Sequence, residues 1–115
     1  MSDEVQNYIL ALPDAKMADK ILRNIRLLNE FGLKLPVDYI HRIWESREKL
    51  WELRTDFGQN RERTLFFIVD KGAFFLATQF RKNAKKVPSF EIRQAEKVFY
   101  EYLEKQKKKD KGQDN

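Results

Sequence analysis

The hydrophobic residues of this chain change period twice, and that change confines it to a mixed fold of helices and sheet. Val5, Ile9 and Leu12 are spaced four and three apart, one face of a short helix. Pro13 interrupts the pattern and Asp14 offers an N-cap for a second helix, along which Ala18, Ile21, Leu22, Ile25 and Leu28 form an apolar stripe. Gly32 supplies a stop, with Pro36 just beyond. The middle of the chain then alternates. Trp51, Leu53 and Phe57 interleave with Glu52, Arg54 and Asp56, the period of a half-buried strand. Gly58-Gln59-Asn60 reads as a turn, and Leu65-Phe66-Phe67-Ile68-Val69 as a central strand. Asp70-Lys71-Gly72 reads as a hairpin connection, and Ala73 to Phe80 as the returning strand. A weaker strand signal covers Tyr39 to Trp44. The last third returns to helical spacing: Ser89 is a candidate N-cap, Glu91 suits the first turn, and Ile92, Ala95, Phe99 and Tyr102 share one face.

These elements predict an α+β domain: an N-terminal helical hairpin, an antiparallel sheet of three to four strands and a C-terminal helix, with the helices packed on one face of the sheet. One domain over residues 1–104 accounts for the chain, followed by a basic, disordered tail over 105–115 in which lysine dominates.

Composition narrows the chemistry. Cysteine is absent and there is a single histidine, so disulfides, thiolate metal sites and a histidine-rich metal centre are excluded, and no metal or cofactor is expected. No apolar run approaches the roughly 20 residues that span a bilayer. The N-terminus lacks the layout of a signal peptide, so a cytoplasmic protein without a membrane partner is expected. The 23 lysines and arginines exceed the 18 acids by five. The excess is local: no acid lies between Asp70 and Glu91, a stretch holding Lys71, Arg81, Lys82, Lys85 and Lys86. Such a patch favours a polyanionic partner, with an ordinary solvated loop as the plainer reading. Arg54 and Arg63 are open in the same way, between cross-strand ion pairs on a solvated face and phosphate contacts. Trp44, Trp51 and the phenylalanines stand in strand-like runs and are assigned to the core rather than to stacking on bases. His41 stands apart from the basic pieces and is assigned no catalytic role.

The piece Leu50-Trp51-Glu52-Leu53-Arg54, followed in order by Arg63, Phe80 with Lys82, Lys85-Lys86, Pro88 and a helix containing Ala95, resembles the HigB-like, phage-associated branch of the RelE/ParE toxin superfamily. Leu12-Pro13 and the segment Leu27 to Gly32 extend the resemblance over roughly residues 5–103. It implies a RelE-like fold and the toxin of a type II toxin–antitoxin system, a ribosome-dependent endoribonuclease that cuts mRNA and stops translation. It also implies a cognate helix-turn-helix antitoxin, mRNA on the ribosome as target, and operator DNA bound only through the antitoxin. The implied catalytic residues are Arg54 and Arg63, gripping phosphate, and Lys82, with Lys82, Lys85 or Lys86 moving a proton. Arg81, Lys85, Lys86 and Lys97 would bind RNA. The same fold also suits a non-catalytic nucleic-acid- or ribosome-binding module and a ParE-like inhibitor of DNA gyrase.

Overall fold

The computed structural model describes residues 1–69 and 72–113. Two helices, α1 (Asp3–Ala11) and α2 (Ala15–Phe31), lead through a 3₁₀ turn at Gly32–Lys34 into four strands, β1 (Ile40–Arg42), β2 (Leu50–Phe57), β3 (Asn60–Ile68) and β4 (Phe74–Arg81), and a closing helix α3 (Ser89–Gln113). The predicted element order therefore stands, and the weak strand signal near Tyr39 becomes β1. The Asp70-Lys71 part of the expected hairpin connection lies outside the described residues.

Local chemistry sets the boundaries. The Asp14 carboxylate accepts from the amides of Lys16 at 2.9 Å and Met17 at 3.4 Å, satisfying two donors that the first turn of α2 would leave orphaned. Gly32 ends α2 with φ at 61°, a conformation that L side chains rarely adopt. Gly58, also at φ 61°, makes the tight connection from Phe57 to Asn60.

The sheet is an antiparallel meander in the order β1-β2-β3-β4. Its helices lie on both faces, which corrects the expectation of one. On one face α1 and α2 bring Val5, Ile9, Met17, Ile21, Ile25 and Leu28 against Ile40, Leu53, Phe66 and Leu76. On the other, Ile92, Ala95 and Phe99 of α3 meet Leu50, Leu65, Phe67, Ala77 and Phe80. There the Phe67 and Phe99 rings stack with centroids 4.1 Å apart and planes 4° from parallel. Alternate residues of β2 and β3 thus enter two different cores, so these strands are not half-solvated.

A bulge interrupts the β3–β4 ladder. Phe66 pairs with Leu76, but Leu65 pairs with Thr78, leaving Ala77 as the extra residue of β4. Phe74 and Leu76 pack on the hairpin side, whereas beyond the bulge Phe80 packs on the α3 side.

The outer edge of β4 receives cover from its own chain. The Ser2 amide donates to the Leu76 carbonyl at 2.9 Å, and the Ser2 hydroxyl donates to the Ala77 carbonyl at 2.6 Å while accepting from the Val5 amide. α3 is described through the lysine-rich segment to Gln113, past residue 105, where the basic tail was expected to begin. Lys, Gln and Glu are good helix formers, and Lys107 sits 3.7 Å from Glu104 one turn back.

Candidate functional site: a basic cleft around a buried carboxylate

Residues 50, 52 and 54 of β2 point toward the α3 side of the sheet. Leu50 belongs to the core there, but Glu52 follows it into the interior and is only 1% exposed. A lone buried carboxylate would be driven toward neutrality by the loss of hydration. Here it is ringed by cations instead. Arg54 Nε donates to Glu52 Oε1 at 2.8 Å, Arg63 Nε lies 3.9 Å from the same oxygen, and Lys82 Nζ lies 3.8 Å from Oε2. Oε2 is buried and accepts no hydrogen bond among the described residues.

The three cations differ in reach. The Arg54 side chain is 28% exposed, so its guanidinium can contact a solute arriving at the surface. Arg63 cannot: its side chain is 5% exposed and its Nη1 donates to Asp56 at 2.7 Å and to the Glu62 carbonyl at 2.9 Å. It stands behind Arg54 in the neighbouring strand, opposite it in register, as a buried positive charge. Lys82 follows β4, its amide fixed to the Arg61 carbonyl at 2.8 Å, and its side chain is 7% exposed. Burial pushes the Lys82 amine below the usual lysine range. The charges of Arg63, Arg54 and Arg61 push the same way, and Glu52 opposes them.

Beyond Lys82 the chain crosses back over the sheet. Lys85, Lys86 and Val87 join His41, Arg42, Ile43, Glu45, Glu52, Arg54 and Lys82 in lining a cleft of about 200 Å³. Arg54, Lys82, Lys85 and Lys86 face Glu45 and Glu52 there, so the cleft carries surplus positive charge. Lys85 and Lys86 are exposed on its rim. His41 is the residue of β1 directly opposite Glu52. An imidazole, a depressed amine and a reachable guanidinium therefore share one small opening. Together they can hold an anion and move a proton.

Of the residues picked out in the sequence, Arg54, Lys82, Lys85 and Lys86 meet in this cleft. Arg63 supports it from behind. Arg81 faces the other side of the sheet, with its Nε 3.1 Å from Glu62 Oε1, a buried carboxylate that also accepts from the Tyr8 hydroxyl at 2.9 Å. Lys97 lies on α3 beside Arg93, Glu96 and Tyr100 and does not line the cleft. Two members were passed over, Glu52 and His41. Glu52 carried a signal, an acid enclosed by Leu50 and Leu53 in a strand. His41 joins only through the β1–β2 pairing, which no local pattern reveals. Trp44, assigned to the core, is exposed. No group of three or more metal-ligating side chains occurs among the described residues, and no described helix is long and apolar enough to cross a membrane.

A four-stranded antiparallel meander between a helical hairpin and a long helix, with a cation-rich cleft built on a buried acid, defines a small α+β protein. The sequence matches the family described as phage derived protein Gp49-like (DUF891) over residues 7–100. The chain belongs to this phage-derived Gp49-like family, and every residue of the cleft falls within the matched span. No curated protein matches the sequence.

Proposed function

We propose that this protein is the toxin of a type II toxin–antitoxin system and that it cleaves mRNA on the ribosome. Membership of the Gp49-like family is compatible with a toxin role. The observation that carries the nuclease reading is the Lys82 amine, pushed below the usual lysine range by burial and by the neighbouring arginines, beside the reachable guanidinium of Arg54. In this reading neutral Lys82 takes the proton of a ribose 2′-hydroxyl. The oxygen attacks the adjacent phosphorus, and the bond to the 5′-oxygen breaks, leaving a 2′,3′-cyclic phosphate. Arg54 stabilises the charge that develops on the phosphoryl oxygens, and its planar fork suits two of them at once. His41 is positioned to give a proton to the departing 5′-oxygen. Lys85 and Lys86 hold the flanking backbone, and Arg63 raises the local potential without touching RNA. A helix-turn-helix antitoxin encoded alongside is the expected partner, and operator DNA would be reached through it.

The test is to induce the protein in bacteria and map new mRNA 5′ ends, with Arg54→Ala and Lys82→Met variants whose thermal melts show that they fold. New ends inside translated regions, lost in both variants, are expected. Growth arrest with an unchanged pattern of ends refutes the nuclease reading. One observation favours a second reading, a binding module without catalysis: Glu52 already occupies the Nε edge of Arg54 that a phosphate would use. Binding of RNA or ribosomes with no new ends supports that reading, and arrest accompanied by DNA-damage signalling points to gyrase.

A further inference from the structure

Trp44 begins the turn after β1, and the solvent reaches 79% of it. Its sequence neighbours are not loose. Ile43 and Ser46 are buried, and the Ile43 amide donates to the Leu50 carbonyl at 2.9 Å. The Ser46 hydroxyl donates to Glu96 of α3 at 2.7 Å, and the Tyr100 hydroxyl of α3 donates to Glu48 at 2.9 Å. The turn is therefore bolted to the body on both sides of an indole that packs into neither core.

One face of that indole is occupied. The Arg42 guanidinium lies 4.7 Å from the Trp44 ring centroid and 5.8 Å from that of Trp51, and Arg42 also lines the basic cleft. Ile43 and Glu45, on either side of Trp44 in the chain, also line the cleft, so the turn that carries the ring borders it, with the guanidinium on one face of the ring and the other face open. Leu10 and Val37 are comparably exposed, but neither lines the cleft. An aromatic ring on a pinned turn, with a guanidinium on one face and the other face open, next to a cation-rich cleft matches what single-stranded nucleic acid requires: cations that follow the backbone and a flat surface for an unstacked base. A duplex offers no such face, because its bases are already stacked on one another.

We propose that Trp44 is a nucleobase-stacking platform, and that single-stranded RNA crosses the cleft with its phosphates at Lys85, Lys86 and Arg54 while a neighbouring base rests on the open face of the indole. This inference rests on the nucleic-acid reading of the cleft but not on catalysis. Arg42 holds the ring in place, so its role is positioning, whereas Trp44 itself touches the ligand.

The test uses the full chain and a short single-stranded oligoribonucleotide fully 2′-O-methylated, so that the attacking hydroxyl is blocked and binding is read apart from cleavage. Titration should quench tryptophan fluorescence in the wild type and in Trp51→Phe, but not in Trp44→Ala. Loss of one base–aromatic stack weakens binding by roughly 5- to 150-fold, and Trp44→Ala should fall in that range while Trp44→Tyr recovers most of the affinity. The salt dependence should separate the two parts of the site. Trp44→Ala keeps the wild-type slope, whereas Lys85→Ala with Lys86→Ala lowers it by about 1.4, from about 0.7 for each lost phosphate contact on a single strand. Wild-type affinity in a Trp44→Ala protein with an unchanged melting temperature overturns the proposal and leaves the indole to a protein interface, an antitoxin segment foremost. Equal quenching by a duplex of the same sequence, or no binding by the wild type, overturns it as well. Intact quenching without new mRNA ends in cells removes only the nuclease reading.

Discussion

Replacing Glu52 by glutamine removes the negative charge on which Arg54 and Lys82 converge and leaves Arg63 with Asp56 alone. Deleting one partner of a buried ion pair costs roughly 3–5 kcal/mol, because the surviving charge stays buried without compensation. The lower end applies here. Glutamine still offers Arg54 an acceptor, Arg54 can turn partly into water, and Lys82 can release its proton. Unfolding entropy near 60 °C is about 2.1 cal/mol/K per residue, or about 0.24 kcal/mol/K for this chain, so about 3 kcal/mol lowers Tm by about 12 °C. Circular dichroism melts at pH 7 of Glu52→Gln, Lys82→Met and the double variant measure this directly. If Lys82 is the charge left stranded, its removal relieves part of the damage, and the double variant is more stable than the sum of the singles by about 1 kcal/mol or more. A Glu52→Gln protein melting within about 2 °C of wild type, or strict additivity, refutes the account of Glu52 as the counter-charge of the cleft.

The depressed amine makes a pH prediction of definite sign. Between the folded-state pKa of Lys82 and its unfolded value of about 10.4, the unfolded chain binds more protons, so stability rises with pH across that window. Denaturant titrations should show wild type gaining on Lys82→Met as pH is raised through this range, and a flat or falling difference counts against a buried, perturbed amine. Phe67→Ala removes a fully buried ring stacked on Phe99 and should cost about 3–5 kcal/mol in urea unfolding. A loss under about 1 kcal/mol would mean that α3 is not docked as described. Asp14→Ala strips the cap of α2 and should cost about 1 kcal/mol, which Asp14→Ser largely restores. Equal loss in both variants would place the effect elsewhere than in the cap.

The elements were legible because each carries its own local signal: the Asp14 cap, the Gly32 stop, the Gly58 turn and the helical spacing from Ile92 to Tyr102. The layering was not. Glu52, Arg54 and Arg63 are polar residues in alternating strands, and alternation ordinarily marks a solvent face. Here α3 covers that face, and the polar residues survive burial by neutralising one another across β2 and β3. That compensation depends on cross-strand register, which no single strand encodes. The same limit explains the cleft. The cations near Lys82, Lys85 and Lys86 were visible as a run. His41 came beside them only when β1 paired with β2. The lysine-rich end reads two ways in sequence, because composition typical of disorder is also composition with high helical propensity.

The bulge at Ala77 acts as a phase switch for everything that follows it. Side chains alternate along β4, so one additional residue exchanges the two sides of the sheet for the remainder of the strand. Arg81 and Lys82 are adjacent and both cationic, yet one joins Glu62 and Tyr8 on the hairpin side of the sheet and the other joins Glu52 on the side that α3 occupies. Were Ala77 instead to pair with Leu65 in an unbroken ladder, every later residue would slip by one and the two would trade sides. A guanidinium, which does not lose its proton at physiological pH, would then stand where the chain now keeps a depressed amine. The proton-handling character of the cleft is thus fixed by counting residues along an edge strand as much as by the identity of the residue that arrives.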